Sequence, residues 1–152
     1  MLRFEKSSII YCDIDALYNF HLDATNLQAI TPKQTKLTLL SKNFSPQEGE
    51  IMALRVVENF IPMYWKVKIE KLSKPNLLVD VAIKSPFKFW KHSHIFKVLD
   101  NKSCELTDII EYTLPLSFIS HFLFQNFIEQ KFLSLFEYRH KVTKELLEKS
   151  KI

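Results

Sequence analysis

Residues 124–146, FQNFIEQKFLSLFEYRHKVTKEL, decide the architecture. Phe124, Ile128, Phe132, Leu135, Val142 and Leu146 recur at a period of about 3.6, with Glu129, Lys131, Lys141 and Lys144 off the stripe. The spacing predicts an amphipathic helix of more than twenty residues from about Asn126. Such a helix needs a surface to lie on, and the residues before it supply one. After a first strand over 2–11, period-two segments run over 35–43, 51–59, 63–72, 76–84, 88–99 and 103–114. Turn-prone Pro46-Gln47-Glu48-Gly49, Ser73-Lys74-Pro75-Asn76 and Asp100-Asn101-Lys102 separate them. Met63, Trp65, Val67 and Ile69 alternate with Tyr64, Lys66, Lys68 and Glu70, and Leu77, Val79, Val81 and Ile83 continue the apolar series. One face is therefore apolar and the other carries Lys, as in an antiparallel sheet with one wet side. Between the first two strands, Asp13 is a suitable N-cap for a short helix holding Ala16, Leu17 and Phe20. A second short helix fits 24–30 and stops at Thr31-Pro32.

Composition narrows the function. The chain has 152 residues, read as a single domain over 1–152, and 47% of them are hydrophobic. It contains 13 Phe but one Gly, Gly49. Phosphate-cradling loops, dinucleotide-binding turns and nucleophile elbows each need at least two glycines, so all three are excluded. The formal charge is +4, with 21 basic residues of which only Arg3, Arg55 and Arg139 are Arg. Lys-dominated charge reads as a solvating coat, and no nucleic-acid partner is expected. Cys12 and Cys104 show no CxxC pairing and read as reduced core residues of a cytoplasmic protein. No apolar run reaches ~18 residues, so no transmembrane segment is expected.

The residues most able to carry chemistry are His92 and His94. Their spacing on a strand puts both imidazoles on one face, with Trp90 and Phe96, and turns Ser93 away. A three-residue loop at 100–102 sets His94 opposite Asp108 on the next strand. Asp108 then accepts a hydrogen bond from His94, or the two His and the carboxylate form a set able to hold Fe(II) or Zn. Arg139 interrupts the apolar stripe of the long helix. It serves either as a clamp for a ligand carboxylate or ketone or as half of a salt bridge with Asp108 or Glu111. His21 ends a short helix, where its charge suits the dipole. The cluster Phe118, Phe122, Phe124 and Phe127 reads as core, and Cys104 as lying outside the apolar parity of its strand.

The order strand, two short helices, six strands, long helix resembles the SRPBCC or START-like superfamily (Bet v 1-like fold), above all its small bacterial ligand-binding and polyketide cyclase-like members. The resemblance rests on Cys12-Asp13-Ile14-Asp15-Ala16-Leu17-Tyr18-Asn19-Phe20-His21, Asn26-Leu27-Gln28-Ala29-Ile30-Thr31-Pro32 and Trp90-Lys91-His92-Ser93-His94-Ile95-Phe96. It continues in Leu106-Thr107-Asp108-Ile109-Ile110-Glu111-Tyr112-Thr113-Leu114-Pro115 and Phe136-Glu137-Tyr138-Arg139-His140, and departs from the family at Leu116-Ser117-Phe118. It implies an α+β helix-grip fold, a curved sheet of about seven strands around the C-terminal helix, enclosing a cavity for an apolar small molecule. It implies no cofactor and no metal. The expected wall comprises Trp65, Val67, Val79, Val81, Trp90, Phe96, Ile110, Tyr112, Phe132 and Phe136, with His92, His94, Asp108 and Arg139 as its polar part. A monomer or homodimer that carries or senses the ligand is the leading expectation. A cyclase or hydrolase using His94 and Asp108, with His92, for acid–base work is a second. A lipid- or protein-contacting module using the Lys-rich outer face is a third.

Overall fold

The computed structural model describes residues 1–115 and 118–149, and the side chains of all of these except 118–123. Its elements run β1 (Leu2–Ile10), α1 (Ile14–Leu22), α2 (Asn26–Ala29), β2 (Lys36–Leu39), β3 (Ile51–Glu58) and β4 (Ile61–Ser73). Then come β5 (Leu77–Lys84), β6 (Phe89–Val98), β7 (Cys104–Thr113) and α3 (Phe118–Lys149). The strands form one antiparallel sheet in the order β1-β7-β6-β5-β4-β3-β2. The α+β helix-grip arrangement anticipated from the sequence is present, with β2 shorter than the predicted 35–43.

Local chemistry explains the joints. Asp13 caps α1 by accepting from the backbone N–H groups of Asp15 (2.8 Å) and Ala16 (3.4 Å). Asp100 accepts from the N–H groups of Lys102 and Ser103, both at 2.8 Å. That turn fixes the β6–β7 register, in which His94 faces Asp108 as expected. The β3–β4 hairpin closes through Asn59 (φ 48°) and Phe60 (φ 66°), both left-handed. Register shifts at Lys66/Val67 and Ile69/Lys71 break the β4–β5 ladder, the kind of irregularity that bends a sheet.

Two apolar clusters cover the concave face. Leu17 and Tyr18 of α1 pack with Ile10, Leu78, Phe96, Cys104 and Leu106. Phe132 and Phe136 of α3 pack with Trp90, Ile110, Tyr112 and Leu114, with Phe4, Trp65 and Phe87 against them. Cys104 thus shares the buried parity of β7, because residues 104, 106, 108, 110 and 112 all point inward. Both cysteines are buried, and the Cys104 thiol donates to the Cys12 carbonyl at 3.3 Å.

Strand β5 departs from expectation. Leu78, Asp80 and Ala82 face the concave side, whereas Val79 lies with Leu77, Ile95 and Ile109 on the convex side. Val81, two residues on, shares the parity of Val79 and pairs with Lys68 and Lys91. Alternation reports which residues share a face but not which face is covered, and Leu77-Leu78-Val79 is apolar on both. The inward stripe of α3 is also rotated: Phe132, Phe136, His140 and Thr143 are buried, while Phe124 and Leu146 are half exposed. Phe127 is likewise half exposed and not core, and the Phe118 and Phe122 side chains fall outside the described residues, as do Leu116 and Ser117.

Candidate functional site

Sheet and α3 enclose a cavity of about 470 Å³ with mostly apolar walls, within the ~300–1,000 Å³ typical of small-molecule sites. Of the residues expected to form the wall, Trp65, Val67, Trp90, Phe132 and Phe136 line it. Residues of the α1–α2 region, Phe20 to Pro32, form another side. Phe96, Ile110 and Tyr112 are instead packed into the core. They lie on the right face, but α1 covers Phe96, and Phe132 stands edge-on over Tyr112 at 5.0 Å between centroids. Val79 and Val81, on the far face of the sheet, do not reach the cavity.

One part of the wall is polar. Of the five histidines in the chain, His21, His92, His94 and His140 all line the cavity, together with Asp80, Asp108 and Arg139. The center is Asp108, 3% exposed. His92 donates through Nε2 to its Oδ1 at 2.8 Å, and His140 donates through Nε2 to its Oδ2 at 2.7 Å. His140 Nδ1 in turn meets the Ser8 hydroxyl at 2.8 Å, joining α3 to β1. His94 Nδ1 lies 2.7 Å from Oδ1 of Asp108, close enough for an ion pair but out of line for a regular hydrogen bond. Across the strand, Asp80 Oδ2 is 3.9 Å from His92 Nδ1 and 3.6 Å from His94 Nε2. The two imidazoles lie 3.9 Å apart between centroids.

This crowding drives the protonation states apart. Burial would lower the His94 pKa, but the Asp108 charge and contacts with Asp108 and Asp80 raise it to about 9. Burial and the neighboring His94 charge push His92 down, toward the neutral ring. His21 falls to about 3, through burial first and then the His94 charge. It is therefore a neutral group whose Nδ1 donates to the Leu17 carbonyl at 2.9 Å, not the helix-end cation expected from its position. Burial alone would raise the Asp108 carboxyl, yet the His94 charge and the hydrogen bonds from His140 and His92 hold it well below the usual carboxylate range.

Arg139 has no carboxylate within ion-pair distance among the described residues, so the expected bridge to Asp108 or Glu111 is absent. Glu111 lies on the convex face, against Arg3 and Lys91. The guanidinium sits 5.2 Å above the Phe136 ring, and its buried Nε has no hydrogen-bond partner among the described residues. Burial lowers its pKa, against the attraction of Asp108 and Asp80.

Of the polar residues lining the cavity, His92, His94, Asp108 and Arg139 are marked by sequence pattern, whereas Asp80, His140 and His21 are not. Asp80 was hidden by the apolar Val79 and Val81 beside it. His140 follows Phe132 and Phe136 at steps of four along α3, a spacing that marks it as inward-facing. His21 shows no sequence signal beyond its place near a helix end.

No protein-family model and no curated sequence matches the chain. Solved structures do match, at low identity. A START superfamily protein from Mycobacterium smegmatis superposes with a TM-score of 0.69 at 12% identity, over 97% of each chain. A norcoclaurine synthase point mutant from Thalictrum flavum, in complex with a transition-state analogue, gives 0.75 at 14% identity, over 99% of this chain and 96% of that one. The Zhui aromatase/cyclase from Streptomyces sp. R1128 gives 0.75 at 11%, over 97% and 93%. Agreement over nearly the whole length of each shows that the chain has the START-like, Bet v 1-like helix-grip fold.

Proposed function

We propose that the protein binds an apolar small molecule that ends in a carbonyl or carboxylate group. The observation that carries this reading is a mostly apolar cavity of about 470 Å³ lined by Arg139, a cation with no carboxylate within ion-pair distance among the described residues. A guanidinium beside an apolar cavity favors an oxygen anion or carbonyl as its partner, and a hydrogen bond to a charged group contributes roughly 1.5–3 kcal/mol. The aromatic walls from Trp65, Trp90 and Phe132 suit an aromatic or lipid-like body. The START superfamily protein and the aromatase/cyclase with the same fold support a ligand-binding or cyclase role in general. Native mass spectrometry of protein purified gently from its own host tests the reading directly, because a retained ligand reports its mass. A panel of fatty acids and polyketide aromatics in thermal melts is the complement. A ligand at a hundred times its dissociation constant adds about 2.7 kcal/mol of stability.

A cyclase-type reaction on the bound carbonyl is the second reading, favored by His94. An imidazolium whose pKa stands near 9 remains protonated at neutral pH and can lend its proton to a substrate oxygen. Turnover lost in His94→Ala, with binding retained, would distinguish this from simple carriage.

A further inference from the structure

Two acceptors face each other at the polar side of the cavity. Because His92 gives its Nε2–H to the Asp108 carboxylate, its Nδ1 presents a lone pair, and Oδ2 of Asp80 lies 3.9 Å from that nitrogen. His94 sets Nδ1 against the same oxygen of Asp108 and turns Nε2 to the same oxygen of Asp80, 3.6 Å away. One ligating atom from each of Asp80, His92 and His94 thus falls within 4.8 Å of the others.

The geometry points to a divalent transition-metal site, of Zn²⁺ or Fe²⁺ type, held by Asp80 Oδ2, His92 Nδ1 and His94 Nε2. Ligands at about 2.0–2.1 Å from a tetrahedral ion stand ~3.3 Å apart, so small side-chain rotations bring the three onto one ion. Strand geometry makes the set rigid. His92 and His94 share a face of β6, and Asp80 on β5 is the cross-strand partner of His92. Asp108, the partner of His94 on β7, is then not a ligand, as a reading from sequence spacing alone would have it. It is the outer carboxylate that engages the far nitrogen of both imidazoles and orients them, an arrangement common behind metal-bound histidines. Two His and one carboxylate leave further coordination positions, and all three ligands line the cavity, so those positions open onto it. A proton on His94 can satisfy the same groups, and added metal decides between the two.

The site is independent of what fills the apolar part, and its test uses metal alone. Chelator-treated full-length protein is titrated with Co²⁺, read by visible absorption, and with Zn²⁺, read by calorimetry. One ion per chain is expected, with micromolar or tighter affinity. Asp80→Asn and His94→Ala should weaken it at least 100-fold, and Asp108→Asn by about 10–100-fold, the range found when an orienting partner is lost. Imidazole ¹⁵N resonances of His92 and His94 in the unmutated protein should move with added Zn²⁺, a readout that does not depend on any variant folding. Absence of binding by the unmutated protein overturns the site, as does affinity unchanged in both ligand variants or ¹⁵N shifts confined to other histidines. Ligand binding to the cavity without metal binding would leave the proposed carrier role standing and remove this site.

Discussion

Replacing Asp108 by Asn is the most informative single change, because it keeps the shape of the side chain and removes its charge. Asp108 accepts two hydrogen bonds, from His92 at 2.8 Å and His140 at 2.7 Å, and sits 2.7 Å from His94. Hydrogen bonds to a charged group contribute roughly 1.5–3 kcal/mol each, and the Asn carbonyl can keep one of the two. Its amide must then face a ring N–H or force a tautomer change. Breaking a buried charge pair costs about 3–5 kcal/mol, and the expected loss lies in that range. With an unfolding entropy of about 0.3 kcal/mol/K for a chain of this length, the Tm should fall by ~9–16 °C. The difference should also depend on pH. His94 has a folded pKa of about 9, above the unfolded value, so its contribution is complete below about 6.5 and fades as pH rises through 9. Urea unfolding followed by circular dichroism at pH 6.5 and pH 10 should therefore show the two proteins converging at the higher pH. A loss under about 1 kcal/mol, or a gap that ignores pH, would refute the account of Asp108 as the center of a charged network.

Three further outcomes follow from other parts of the molecule. Acid should destabilise the protein before ordinary carboxylates titrate, because His21, lowered to about 3, and His92, also lowered, take up protons on unfolding once pH drops below about 6.5; a flat stability curve between pH 6.5 and 5 would contradict their buried, neutral state. Phe60→Gly should raise stability by about 0.5–1 kcal/mol, since a left-handed non-glycine residue carries ~1–2 kcal/mol of strain and this ring, 99% exposed, packs on nothing; a measured loss would show that the tip contributes contacts after all. Phe132→Asp should abolish any ligand-induced rise in melting temperature, and a shift that survives would place the ligand away from α3.

The fold was legible because its signals are geometric. Alternation at 63–70, the Asp100 turn and the 3.6-residue stripe of α3 each restrict the backbone before any tertiary contact forms. The β6–β7 register followed from one loop length, and with it the His94–Asp108 pair. The rest of the site was illegible because it depends on which side of a strand becomes covered. Asp80 reads as a flaw in an apolar strand until β5 is known to turn its Val79 face outward. His140 and Ser8 are 132 positions apart, a contact that no local pattern encodes. Arg139 stands out as a charge on an apolar stripe, but only the folded chain shows that none of the described carboxylates comes within ion-pair distance of it.

The place of β1 in the sheet has a consequence for how the chain is made. Its partner is β7, with Leu2 opposite Tyr112 and Ile10 opposite Cys104. At roughly 5–20 residues per second of synthesis, β1 waits on the order of 5–20 seconds for that partner to emerge. Through that interval it is a strand whose hydrogen-bonding edges are both open, the condition under which nascent chains pair with one another. Its sequence suits the wait. Arg3, Glu5, Lys6, Ser7 and Ser8 interrupt the apolar residues of LRFEKSSII, so a misplaced pairing would bury charge. The N-terminal strand is written to remain soluble and single until the last strand of the sheet arrives.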